Sequence, residues 1–513
     1  MNTYNQNDDW TVTRRFLLKL KKIVSTLKAW IDSVNKNREG KYTPTFIGWC
    51  GALVSALLLI VMLFVPPYLG MSDNGSFARE ANPVGIYHLD NTDEDLYFNY
   101  YVKEYLSLAQ DGASQVSISS QRLLINVAKA LDGFFTHENI FDLRFLALLY
   151  GILFIPAIAL LIKQAALRAK TFSESVVIGL LGVLIFADVS YVTYFSSFYA
   201  EPIMYIGILS CIGAALALQS EKHNLRYLII YTISGILLTA SQNQSATIGV
   251  FLGILCVRFI FINKNVLWRL GCICSVLLLF TSVLVSLYYI PTTYNQTSKF
   301  HAMTRGILLQ STDPEQTLKE FGINSSYTVL TDTSSNDYYP FINPDNKVLE
   351  KDFYDRYNAT EISYYYLRHP KAMLAMLDIS VKSAFNFRGE YSGNYEKSQG
   401  MPKKAKSLFW SLWSSFKINS APRTIGFIIV LLLASIMLFR QKSIKTAEKY
   451  KHRRAIPLEA LLIVFCIGIS QAIITIVNSG DAEMSQRLFL FSVAVDILIY
   501  FCFAEVLHRL KII

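Results

Sequence analysis

Carboxylates stand at three places where this chain leaves long apolar runs. The first is Pro66-Pro67-Tyr68-Leu69-Gly70-Met71-Ser72-Asp73-Asn74-Gly75-Ser76-Phe77. Two prolines end the preceding helix and Asn74-Gly75 favours a tight turn. Asp73 therefore sits on a bend just beyond the last apolar turn. The second is Tyr194-Phe195-Ser196-Ser197-Phe198-Tyr199-Ala200-Glu201-Pro202. The proline opens the next run, so Glu201 belongs at a helix N-terminus, where the helix dipole favours a carboxylate. The third is Asn478–Arg487, in which Asp481 and Glu483 precede Arg487. Carboxylates can take a proton from a hydroxyl, and an arginine can hold a phosphate. Each cluster also has a plainer use: an Asx-turn at Asp73, a capping acid at Glu201, and pairing within the loop or with lipid headgroups at the third. Asp188 stands apart, since it interrupts an apolar run, and a carboxylate at such depth normally faces the bundle interior or a water-filled cavity.

Cations reinforce these clusters. Lys299, His301, Arg305, Arg356, Arg368, His369 and Arg388 fall in one long polar stretch that is also rich in tyrosine. Phosphate at headgroup level would explain them, and so would pairing with nearby acids. The tyrosines fit an aromatic interface belt or the packing of a cap as well as they fit sugar stacking. No phosphate-binding P-loop, dinucleotide fingerprint, zinc-protease motif or nucleophile elbow occurs.

The elements that must position these residues follow from composition. Of 513 residues, 52% are hydrophobic and only 17% charged, with mean hydropathy +0.33. A soluble chain carries roughly 25% charge, so a soluble enzyme is excluded. The net charge of +10 is attributed to membrane topology, with no role for nucleic acid. The seven cysteines lie in or beside apolar runs and predict neither disulfides nor a zinc site.

A membrane span needs about 20 mostly apolar residues. Ten candidates occur: Phe46–Val65, Phe145–Ile162, Val176–Tyr194, Pro202–Leu218, Tyr227–Ala240, Thr247–Ile262, Leu270–Ile290, Ile425–Phe439, Leu458–Val477 and Leu488–Val506. Alternate connections carry the Lys and Arg residues, which places both termini in the cytoplasm under the positive-inside rule. Residues 1–45 then form a basic cytoplasmic segment, in which Thr11–Val34 has the spacing of an amphipathic helix lying on the membrane surface. Residues 46–290 hold the first seven spans and a long outer loop, 66–144. Residues 291–422 form a second large outer loop, and 423–513 hold the last three spans. Long loops of this kind tend to be functional. Helices are predicted within them at Asp95–Leu108, Ser119–Phe135 and Pro370–Phe385. The fold class is thus an all-α polytopic membrane protein with two large helical outer loops, in a bacterial plasma membrane.

Acids at the outer ends of the first and third spans, an extended first outer loop and outward cations together resemble the GT-C superfamily of integral-membrane glycosyltransferases. Met71–Phe77, Tyr194–Pro202 and Gly480–Phe489 look like the bacterial glycan-biosynthesis hexose transferases of the WsfD type. The resemblance implies a polyprenyl-phosphate-linked sugar donor, a cell-wall or surface glycan acceptor, inverting transfer on the outer face, and a carboxylate base. Asp73 is the expected base and Glu201 the second catalytic acid. Asn74, Ser76, Glu80, Tyr199, Asp481 and Glu483 are expected to support them or the acceptor. Arg305, Arg388, Arg487, Lys299 and His301 are candidates for the lipid phosphate. Asp73 and Glu201 could instead hold a divalent metal ion, as in some members of the superfamily. The sequence departs from the expected Asp-Asn-Gly-Asp run at Ser76, for which Glu80 could substitute. A lipid-linked glycan polymerase or ligase, and a non-catalytic transport or scaffold subunit, are the alternatives. An essential acid directly after the first span favours the transferase, while essential arginines confined to the second long loop favour the polymerase.

Overall fold

The computed structural model describes residues 43–90, 95–108, 119–135, 139–220, 225–288, 292–334, 346–386, 388, 392–440, 448–482 and 484–510, with positions 25, 26, 29, 32, 33, 35 and 36. The amphipathic helix expected over Thr11–Val34 lies largely outside the described residues. Close to its end, the Asn35 side chain accepts hydrogen bonds from Ser173 N and Oγ, both at 2.9 Å.

All ten apolar runs are helical. They comprise α1 (Pro44–Phe64), α3 (Arg144–Ala166), α4 (Phe172–Phe186) with the short turn Val189–Val192, α5 (Glu201–Ser220), α6 (Leu225–Thr239), α7 (Ala246–Ile260), α8 (Val266–Tyr288), α11 (Ile425–Phe439), α12 (Glu448–Ser479) and α13 (Phe489–Leu510). Among the described residues, seven helices are long and apolar enough to cross a membrane, or eight if the bent pair Phe172–Phe186 and Val189–Phe195 is one span. Leu225–Thr239 and Ile425–Phe439 are apolar but shorter. This is a multi-pass membrane protein. At the centre lies α5, whose apolar stretch is 100% buried, with 78% for that of α13. Outer helices keep leucine, isoleucine and valine exposed, as a lipid-facing surface requires. Small residues allow close helix approach: a Cβ at Gly48 of α1 would lie 2.5 Å from the Ala159 carbonyl oxygen of α3.

The third run differs from a straight span. It bends by 46° after Phe186, because Asp188 starts a new helix: its Oδ1 accepts from Ser190 N at 2.9 Å. Its Oδ2 accepts from Ser414 N at 3.0 Å, near the start of α10 (Leu412–Asn419). The buried carboxylate thus faces the bundle interior, as expected of an acid at that depth. Beside it, Asp496 of α13 accepts from Lys417 Nζ at 2.8 Å, Trp413 Nε1 at 2.8 Å and Tyr191 Oη at 2.5 Å. Lys417 and Asp496 side chains are 0% exposed. These bonds fasten α10, from the second long loop, into the bundle.

The two long loops share one end of the bundle. The first contains α2 (Ser120–Phe135), as predicted, with Leu124, Ile125 and Ala128 buried and Leu123, Val127 and Phe134 exposed. The predicted helix over Asp95–Leu108 does not form. The chain there makes β2 (Glu104–Ser107), the centre of an antiparallel sheet between β1 (Ile86–Tyr87) and β3 (Ile140–Asp142). Glu104 pairs with Asp142 and Leu106 with Ile140. Aromatic residues favour a strand once partners exist on both sides, and Tyr105 of β2 is buried, as is Tyr101 just before it. The loops are therefore not wholly helical. The second contains the predicted helix as α9 (Pro370–Ala384), with Pro370 at its first turn.

The opposite end of the bundle carries its own ion pairs. Arg168 and Arg509 both contact Glu505, at 2.6 and 2.9 Å. His508 approaches Glu174 at 3.3 Å, and Arg258 lies 2.7 Å from Glu459.

Candidate active site

The three acid-bearing segments, far apart in sequence, meet at the loop-bearing end. Asp73 is 3% exposed. Its Oδ1 accepts from Gly75 N at 2.7 Å and Phe77 N at 3.1 Å, so the Asx-turn read from the sequence does form. The turn feeds the short helix Phe77–Ala81. Oδ2 lies 3.1 Å from Nε2 of His88. The backbone of this turn is gripped by the second segment: Tyr199 Oη donates to Ser72 O at 2.9 Å and accepts from Asn74 N at 3.0 Å. Burial, with Asp73 nearby, pushes the Tyr199 hydroxyl well above its usual range and keeps it a donor.

Asn74 joins the third segment. Its Nδ2 donates to Gln486 Oε1 at 3.0 Å. The Glu201 carboxyl lies within electrostatic reach of Gln486, Arg79 and Arg487. Glu201 is 5% exposed at the first turn of α5. The Asn74–Gln486 hydrogen bond thus ties the Asp73 turn to the third segment, with Glu201 and two arginines within electrostatic reach. Gln486, Arg79 and His88 are functional candidates that the sequence reading misses. Gln486 and Arg79 lie inside or beside segments already singled out. His88 has no local signal, being one histidine in a polar loop.

Other predicted residues are engaged elsewhere. Ser76, partly exposed, makes no capping bond with its side chain. Glu80 is held by Arg122 at 3.2 Å and Arg79 at 3.3 Å. Arg305 and Asp481, expected in separate roles, bind one another through two bonds of 2.7 and 3.1 Å. Arg305 also contacts Asp332 at 2.9 Å. Arg388 is buried and donates to the carbonyl of Ser407. Lys299 donates to Tyr354 O at 3.0 Å, and His301 Nε2 lies 3.2 Å from Ser334 Oγ. Of the five predicted phosphate ligands, Arg487 is the one placed beside the acids. Glu483 lies outside the described residues.

A divalent metal does not fit this donor set. Among the described residues no group of three or more His, Cys, Asp and Glu could hold one, and Asp73 Oδ1 is committed to backbone N–H groups.

Two cavities flank the cluster's supports. One, of about 300 Å³, is an apolar groove between α3, α5 and α6 that begins at Ile203, two residues beyond Glu201, and passes Pro156 and Ile233. The other, of about 470 Å³, opens in the second long loop between Ser311, Asp313, Glu320, Tyr365 and Lys371.

Apolar spans, a loop-built cap and a polar cluster at their junction define a polytopic helical membrane protein with a site at one end. The family described as YfdI N-terminal transmembrane domain matches residues 32–513, and the chain belongs to that family. No curated protein matches it. Among solved structures it is similar to an oligosaccharyltransferase of Archaeoglobus fulgidus in the apo form, at 12% identity and TM-score 0.39. The same scores hold for that protein tethered to an acceptor peptide containing the NVT sequon. For the archaeal oligosaccharyltransferase AglB from Archaeoglobus fulgidus, in complex with an inhibitory peptide and a dolichol-phosphate, the identity is 12% and the TM-score 0.36. Each match covers 90% of this chain and 50–51% of the other, so the chain spans about half the length of these structures.

Proposed function

We propose that this chain is a membrane glycosyltransferase of the GT-C type. It moves a hexose from a polyprenyl-phosphate donor to a cell-wall or surface glycan on the outer face of a bacterial plasma membrane, with inversion at the anomeric carbon. The observation that carries this reading is the meeting of the Asp73 turn, bonded to Gln486 through Asn74, with buried Glu201, and with Arg79 and Arg487 within electrostatic reach of Glu201. Buried acids and nearby cations at the junction of spans and loops match what the transfer demands.

The acceptor hydroxyl is a weak nucleophile, and a carboxylate within hydrogen-bond reach removes its proton as it attacks. Asp73 is the proposed base, and Glu201 orients the acceptor through Gln486. The bond from the sugar to phosphate breaks with its electron pair going to the phosphate oxygen. Arg79 and Arg487 offset the developing charge. The apolar groove starting at Ile203 gives a lipid tail a path away from the cluster. The cationic connections at the opposite end support a cytoplasmic assignment there under the positive-inside rule. A polymerase would rely on arginines of the second long loop. Arg305 is paired with Asp481 and Arg388 is bonded to the Ser407 carbonyl, and neither is among the cations acting on Glu201.

The test is transfer from a panel of polyprenyl-phosphate hexoses in membranes, with wild type beside Asp73→Asn and Glu201→Gln. Both variants keep size and remove the carboxylate. Asp73→Asn is expected to lower the rate by about 10²–10⁴-fold at normal expression. Full activity in Asp73→Asn moves the base elsewhere, and no transfer by wild type with any donor refutes the reading.

A further inference from the structure

The two oxygens of Asp73 are held by different parts of the chain. Oδ1 accepts from Gly75 N and Phe77 N, at 2.7 and 3.1 Å, within the same turn. Oδ2 is met from fifteen residues away, by Nε2 of His88 at 3.1 Å. The imidazole side chain is 10% exposed. Its ring lies against Tyr105, centroids 5.2 Å apart at 48°, and against the edge of Tyr97 at 6.3 Å. Tyr105 is itself 2% exposed, so the ring sits against a rigid wall.

The hydrogen on that ring can be placed by elimination. Nδ1 is buried and has no hydrogen-bond partner among the described residues. An N–H at Nδ1 would be an unpaired buried donor and would set the Nε2 lone pair against Oδ2 of an ionised Asp73. An N–H at Nε2 meets the carboxylate and leaves Nδ1 as a bare acceptor. The second arrangement avoids both penalties. His88 therefore donates from Nε2.

We propose that His88 is a positioning residue for Asp73, its Nε2–H holding Oδ2 so that the remaining lone pair of that oxygen faces the acceptor hydroxyl. The proposal rests on the reading of Asp73 as general base. The turn holds Oδ1 and His88 engages Oδ2 itself, so the carboxylate is held at both oxygens. A base that wanders by 1 Å loses about 10²-fold in rate. His88 takes no proton and touches no substrate in this role.

Glutamine and asparagine separate this role from simple packing. The amide nitrogen of glutamine reaches the place of Nε2, whereas that of asparagine reaches only the place of Nδ1. Transfer kinetics are measured for His88→Gln and His88→Asn, normalised to folded protein. His88→Gln is expected to keep kcat near the wild-type value. His88→Asn is expected to lower kcat by about 10²-fold with KM unchanged. Should His88→Asn fail to fold, His88→Leu supplies a second variant of similar bulk with no donor, and the same loss is expected. A structural role would lower folded yield in both variants without splitting their kcat values. Equal kcat for the glutamine variant and the donor-less one, with wild type active, overturns the role of His88 and leaves the transferase reading standing. A wild type inactive with every donor overturns both.

Discussion

Gly393 lies far from Asp73 in sequence, yet a single methyl group there should disable the site. Its N–H donates to Phe98 O at 2.9 Å and to Ser72 Oγ at 3.0 Å, and its carbonyl accepts from Ser72 N at 3.0 Å. Next to it, Asn394 brackets Gly70, accepting from Gly70 N at 3.1 Å and donating from Nδ2 to Gly70 O at 2.9 Å. The second long loop thus clamps the strand that leads into Asp73. A Cβ at Gly393 would collide with the carbonyl oxygen of Asn99 and lie 2.9 Å from the carbon behind it. Both are backbone atoms and cannot rotate aside. Restoring ordinary contact requires a retreat of about 1 Å, which breaks the bonds to Phe98 and Ser72. At about 0.5–1.5 kcal/mol each, three lost bonds cost about 1.5–4.5 kcal/mol. A displacement of that size at Asp73 lowers kcat by about 10²-fold. Gly393→Ala should therefore show a lowered thermal midpoint and a lowered transfer rate in the same purified sample. Wild-type values for both would refute the idea that residues 392–407 set the position of Asp73.

Two further outcomes test the supports of this site. Asp496→Leu removes the carboxylate that the buried Lys417 ammonium, the Tyr191 hydroxyl and the Trp413 N–H share, leaving an uncompensated buried charge, and should destabilise the fold by about 3–5 kcal/mol. Adding Lys417→Met should recover part of that loss in a denaturation series, and a double variant as unstable as the sum of the singles would count against a coupled pair. The Lys403 ammonium, helped by Lys397, holds the Asp95 carboxyl below its usual range. A depressed folded value contributes stability above the unfolded pKa of roughly 4 and loses it as pH falls through the folded value. Protection factors at the Asn99 and Lys404 amides, taken relative to the intrinsic exchange rate at each pH, should accordingly fall in acid below roughly pH 4, and Asp95→Asn should abolish that dependence.

The apolar runs and the acid-bearing turns are legible in the sequence because their causes are local. A bilayer demands a stretch of about 20 apolar residues whatever packs beside it, and Pro66-Pro67 or Glu201-Pro202 ends or begins a helix through its own backbone geometry. The Asx-turn at Asp73 and the helices Ser120–Phe135 and Pro370–Ala384 follow for the same reason. Where the cause is distant, sequence reasoning stops. The tyrosine-rich stretch before Leu108 has helical spacing, yet it becomes a strand because β1 and β3 offer its backbone partners on both sides. A straight third span becomes a bent one because Asp188 caps a helix start and reaches Ser414, 226 residues on. Arg305 and Asp481 look like separate functional charges until their separation of 176 residues closes into an ion pair. The pairing of His88 with Asp73 and the grip of Asn394 on Gly70, across 324 residues, likewise belong to the packed molecule. Local chemistry decides which residues are available at a turn. The meeting of two loops decides which of them keep a free lone pair or charge, because every close partner consumes one.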